Sequence, residues 1–165
     1  REYLPVMGMS RTHYLAGVWR SVPQRLLFAF GLWFTLGNYA AGTVIWPSTI
    51  TDPNAMHMRQ VLGFIPVMIN GWHLYFHLLT GLVCLWLATT RRMTAIVALS
   101  VGGIYVLTGS LGLGVEGNIY GVIMADTFGN WVHVAEGAAL LAIGAGALST
   151  RQASRRPNSP TAAAI

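Results

Sequence analysis

His77 and His133 each lie inside a long apolar run, and each is followed four residues later by glycine, as His77-Leu-Leu-Thr-Gly81 and His133-Val-Ala-Glu-Gly137. An imidazole nitrogen is costly to keep in hydrocarbon unless it is bonded, so such positions mark polar packing or chemistry. His73 adds a third ring four residues before His77, which puts both on one helical face. Glu136, the one carboxylate inside these runs, follows His133 by three residues, and Asp126 and Asn130 stand just before it.

Three chemistries suit this set. Two histidines on facing helices at equal depth, His77 and His133, can ligate a b-type haem, with a quinone near His73 as a variant of the same electron-transfer reading. The three histidines with a carboxylate, Asp126 or Glu136, could close a tetrahedral zinc site. His133 with Glu136 could relay protons or ions. A fourth use is structural: a ring bonded across to a neighbouring helix fixes register, and Gly81, Gly109 and Gly137 are places where helices can approach closely. The structural use is the leading expectation, with no resident metal or cofactor, and haem b on His77 and His133 is the principal alternative.

The elements that must carry these residues are membrane spans. The chain is 54% hydrophobic and 9% charged, whereas soluble domains use about 25% charged residues. Four apolar stretches, 26–46, 67–89, 93–114 and 129–149, approach or exceed the roughly 20 residues a helix needs to cross a bilayer core. They lack the period-two alternation of membrane strands. Arg11, Arg20 and Arg25 precede the first stretch, Arg91 and Arg92 separate the second from the third, and Arg151, Arg155 and Arg156 follow the fourth, while Arg59 alone lies on the other side. The excess of arginine on one side places both termini in the cytoplasm and the connections 47–66 and 115–128, with Asp52, Glu116 and Asp126, outside. His73, His77 and His133 then share the outer half of two co-directional helices.

The expected fold is therefore all-α: an integral membrane four-helix bundle of two tandem helical hairpins. Gly31-Leu32-Trp33 leading to Gly37 matches Gly103-Ile104-Tyr105 leading to Gly109, and the two His-x-x-x-Gly elements match each other, as a parallel internal repeat requires. Residues 1–20 are too mixed to span and suit an interfacial or partner-contacting segment. They lack the ordered regions of a cleaved leader, and since the chain begins at Arg1 the native start is expected upstream. Residues 21–150 form the membrane domain, and the Ser, Pro and Ala-rich 151–165 is expected to be a disordered cytoplasmic tail.

Ser21-Val-Pro23-Gln24-Arg25, His73-x-x-x-His77-x-x-x-Gly81, and Asp126 with Asn130-Trp131-x-His133-x-x-x-Gly137 together resemble a family of small four-span bacterial membrane proteins, common in actinobacteria and of unassigned function. The resemblance covers about residues 21–149. Members often carry Asn after the first histidine, where this chain has Leu74, and place the Asp directly before Asn-Trp, where Thr127, Phe128 and Gly129 intervene. The resemblance implies a multi-pass protein of the bacterial inner membrane.

Several function classes fall away. The net charge of +5 comes from short arginine clusters beside apolar runs, a topogenic pattern and not a nucleic-acid footprint. All ten basic residues are arginine, a bias that fits a GC-rich bacterial genome. Cys84 is the only cysteine, which excludes an intrachain disulfide and a thiolate cluster. No phosphate-binding loop or nucleophile triad occurs. The expected function is a non-enzymatic accessory subunit of a larger inner-membrane complex, contacting other integral membrane subunits and lipid, with homo-oligomer formation open.

Overall fold

In a computed structural model that describes residues 11–40, 48–61, 63–115 and 118–153, the chain is mostly helical. Helix α1 (Arg11–Val18) is short. Helix α2 (Val22–Leu32) starts at extended Ser21 with Pro23 in its first turn, where the missing N–H costs nothing. It runs on without a break as a π-helical stretch, Trp33–Ala40. After a single turn, α3 (Ser48–Thr51), strands β1 (His57–Val61) and β2 (Ile65–Ile69) form an antiparallel hairpin in the register Met58 with Met68 and Arg59 with Val67. Gly63 turns that hairpin at φ +80°, the left-handed region that glycine enters without strain.

The three longer helices follow. Asn70 caps α4 (Gly71–Leu87) by accepting from His73 N at 2.9 Å. Thr90 caps α5 (Arg91–Gly114) by accepting from Met93 N at 3.2 Å. Helix α6 (Thr127–Ala153) begins after Asp126, whose Oδ1 accepts from Gly129 N at 2.7 Å. Two stretches, Arg91–Gly114 and Thr127–Ser149, are long and apolar enough to cross a membrane, at 24 and 23 residues.

The second apolar stretch departs from expectation. Stretch 67–89 was to be helical throughout, but its first residues are strand and the helix covers 17 residues from Gly71. The cause is local. Ile65, Val67 and Ile69 alternate with Pro66 and Met68, a period of two that buries Val67 and Ile69 on one face, and Asn70 then offers a helix start. The sheet makes the fold helical with a small β element, not all-α. Residues 41–46 of the first stretch, Glu116 and tail residues 154–165 lie outside the described residues, as do residues 1–10.

Helices α5 and α6 lie backbone to backbone. A Cβ on Gly102 would stand 2.8 Å from Gly137 O, and one on Gly137 would stand 2.6 Å from Val106 N and 2.7 Å from Gly102 O. Small residues let backbones approach in this way when lipid supplies no hydrophobic drive for association. The obstructing atoms are main chain and cannot rotate aside. Gly137→Ala should therefore cost about 1–3 kcal/mol, read as a lowered thermal midpoint in mild detergent, whereas Gly103→Ala, which faces open space, should leave it unchanged.

Helix α1 is tied to the opposite end of the bundle from the hairpin. Gln24 Nε2 donates to Gly17 O at 2.6 Å and to Thr89 O at 2.9 Å, and the Tyr14 hydroxyl donates to Leu85 O. Leu15 and Trp19 stay exposed, with the Arg25 guanidinium 5.9 Å from the Trp19 ring. Between the helices, Leu27, Phe34, Cys84, Tyr105 and Leu140 form the buried core, and Cys84 is a packed free thiol.

A candidate three-histidine metal centre

Because Asn70 starts α4 at Gly71, His73 falls in the first turn and His77 directly below it, both toward α6. His133 meets them from α6. The three rings are 3%, 4% and 1% exposed. Their Nε2 atoms converge: His73 to His77 is 2.9 Å, His73 to His133 is 3.0 Å and His77 to His133 is 3.3 Å.

The outer nitrogens of two rings are anchored. His73 Nδ1 lies 3.0 Å from Met124 O, a carbonyl that can only accept, so this nitrogen carries the proton and Nε2 is left as a lone pair. His77 Nδ1 lies 3.0 Å from the Tyr105 hydroxyl. That hydroxyl also lies 2.8 Å from Thr80 Oγ1, which in turn reaches Phe76 O at 2.8 Å. With Thr80 donating to Phe76 O, Tyr105 donates to Thr80 and accepts from His77, and His77 too presents a bare Nε2. His133 Nδ1 has no partner among the described residues.

Bare lone pairs this close need positive charge between them. Two fillings provide it. One is the ring proton of His133 carried on Nε2, 3.0 Å from His73 Nε2 and 3.3 Å from His77 Nε2; the other is a metal ion. Three nitrogens at these separations lie on a circle of roughly 1.8 Å radius, so an ion at the usual imidazole distance of about 2.0–2.1 Å sits about 1 Å out of their plane. That is the base of a tetrahedron whose fourth corner is open. Outer nitrogens donated to a carbonyl and a hydroxyl are what metal-bound histidines ordinarily show. The residues fit the ion.

A haem fits less well. Two axial imidazoles with iron between them stand roughly 4 Å apart, from two bonds of about 2 Å, and the 3.3 Å between His77 and His133 is shorter. His73 Nε2 stands within 3.0 Å of both, where the porphyrin would lie.

The chain matches no family model, no curated protein and no solved structure. The reading of the site therefore rests on its geometry.

The other residues singled out from sequence fall around the cluster. Glu136 is not a ligand here: its Oε1 accepts from Trp33 Nε1 at 2.6 Å, and its Oε2 has no partner among the described residues. Asp126 spends both oxygens on backbone, Oδ1 on Gly129 N and Oδ2 on Met68 N at 3.1 Å. Asn130 is buried one turn above His133 with Nδ2 3.4 Å from Ala125 O. Gly137 and Gly109 face α5 and α6 respectively, and Gly81 faces Phe34 and Thr35.

Sequence reasoning did not find Tyr105, Thr80 or Met124 as parts of the site. A tyrosine deep in an apolar span needs a partner for its hydroxyl, and that signal could have pointed to Tyr105. A backbone carbonyl such as that of Met124 leaves no signal in residue type.

Proposed function

We propose that this chain is a four-span protein of the bacterial inner membrane whose work is to hold one transition-metal ion, zinc by its donor set, on Nε2 of His73, His77 and His133. The observation that carries this reading is the convergence of three buried Nε2 atoms within 3.3 Å. The membrane part is supported by the lengths of α5 and α6, by the helical run 22–40 and α4 beside them, and by the arginine asymmetry. Asp126 spends both oxygens on backbone and Glu136 gives one to Trp33, which favours holding and handing on an ion over turnover.

The test is a metal titration of protein purified in mild detergent and stripped with chelator. One Co(II) per chain with the strong visible absorption of a tetrahedral site is expected, competed by zinc. Absence of binding, or binding unchanged in His77→Ala, overturns the reading. A Soret band from the purified protein would instead favour haem.

An accessory role in a larger assembly adds partner helices around the same bundle. Exposed Leu79, Leu82, Trp86, Ile104 and Leu107 would suit partner or lipid alike, and a stoichiometric companion on purification from native membrane decides between them. Glu136 gives a separate check on the proton-path alternative. Its hydrogen bond to Trp33 joins α6 to the first span, and glutamine can still accept it. Glu136→Gln should hold stability within about 1 kcal/mol, while Glu136→Leu, which removes the acceptor that joins α6 to Trp33, should lose about 1–3 kcal/mol. Abolished ion flux in Glu136→Gln liposomes would instead establish the path.

A further inference from the structure

Asp126 ties the start of α6 to the strand that leads into α4, and so reaches both ligand-bearing helices. Its Oδ1 caps α6, which carries His133, and its Oδ2 holds Met68 N of β2, the strand that leads into α4 with His73 and His77. The segment before it lies over the rings. Ile119, Ile123 and Met124 are buried, Ile69 bridges to Ala125, and Met124 O takes the Nδ1 proton of His73. Asn70 Nδ2 adds bonds to Val122 O at 2.7 Å and to Pro53 O at 2.8 Å.

We propose that Asp126 is the positioning residue of the metal site, and that segment 118–126, which it fastens, is the latch through which a divalent cation enters and leaves. The proposal rests on the three-histidine reading above. Both carboxylate oxygens are used by backbone N–H groups, so Asp126 acts on the ion only through the rings it places. The latch is closed when Met124 O holds His73 Nδ1–H, which turns the Nε2 lone pair toward the other two. When the segment lifts, that ring loses its anchor and the ion loses a well-aimed ligand. Closure and occupancy are then linked, each favouring the other by the same factor. Entry comes from the hairpin end because His73 sits in the first turn of α4, directly beneath this segment. The hydrogen bonds that tie α1 to α2 and α4 lie at the other end.

Zinc release from full-length protein in detergent, followed with a chromogenic chelator, tests this together with amide hydrogen exchange. Asp126→Ala is expected to release zinc at least tenfold faster at an unchanged stoichiometry of one ion per chain, and Asp126→Asn, which keeps one acceptor oxygen, should fall between. In the unaltered protein zinc should slow exchange of the 119–129 amides at least tenfold, a readout that does not depend on any variant folding. Equal release rates with zinc-insensitive exchange in 119–129 overturn the latch while leaving the metal site standing. A protein that binds no zinc at all fails the metal reading itself and takes the latch with it.

Discussion

Replacing His133 by alanine should lower zinc affinity by more than about 100-fold while the metal-free protein stays folded. Loss of a residue that only orients a ligand already costs about 10–100-fold, and His133 supplies one of three donor atoms itself. The effect on the metal-free fold is smaller for two reasons. The ring's Nδ1 has no partner among the described residues, so its removal strands no donor there. The remaining Nε2 pair, His73 and His77, can still share one proton across 2.9 Å. Trimming a buried ring leaves a void, so a loss of about 2–4 kcal/mol is expected from packing. A zinc titration and a denaturant titration of the chelator-treated variant separate the two quantities. If the cluster is only a hydrogen-bonded hub, the stability change appears with no metal property to lose.

How far the site could be read from sequence depended on the range of each contact. The four-residue step from His73 to His77 is local, and helical periodicity carries it; the Asn70 and Thr90 caps are local too, but apolar run length set the expected bounds and passed over them. That His133 lies at their depth followed from orientation alone. The β-hairpin was hidden because the length of an apolar run outweighed its alternation: Val67 and Ile69 read as the start of a span, and Ile65 fell in the connection before it. The two matched Gly-aliphatic-aromatic elements pack differently. Gly31 was matched to Gly103, yet Gly103 faces open space and its neighbour Gly102 takes the packing position.

The helices nevertheless exchange contacts in a paired way. Trp33, in the π-helical run after α2, bonds Glu136, three residues after His133; Tyr105 of α5 bonds Thr80, three residues after His77. Each aromatic thus reaches a helix that bears a histidine. Residue types at equivalent positions differ, Trp with Glu and Tyr with Thr, so a search for identical residues passes over the correspondence. What is shared is a donor on one helix and an acceptor on the other. That exchange gives Glu136 a linking role between α6 and the run that carries Trp33.

Tyr105→Phe removes one atom from this exchange and is expected to have the second largest effect. The phenol ring would keep its place, stacked on Phe34 at 4.7 Å and on Phe76 at 4.9 Å between centroids, so the packing change is small. What disappears is the oxygen between His77 Nδ1 and Thr80 Oγ1. His77 then has no fixed outer partner and its ring is free to present either nitrogen. Zinc affinity should fall by about 10–100-fold, the usual effect of losing a group that orients a metal-bound histidine. The metal-free protein should lose about 1–3 kcal/mol, because the buried His77 Nδ1 is left without its hydrogen-bond partner. Thr80→Val is the control: it leaves the phenol free to serve His77, so it should lower stability without a tenfold change in zinc affinity. Equal zinc affinity in Tyr105→Phe and the parent protein would mean that the phenol only packs, and that His77 is aimed by its helix alone.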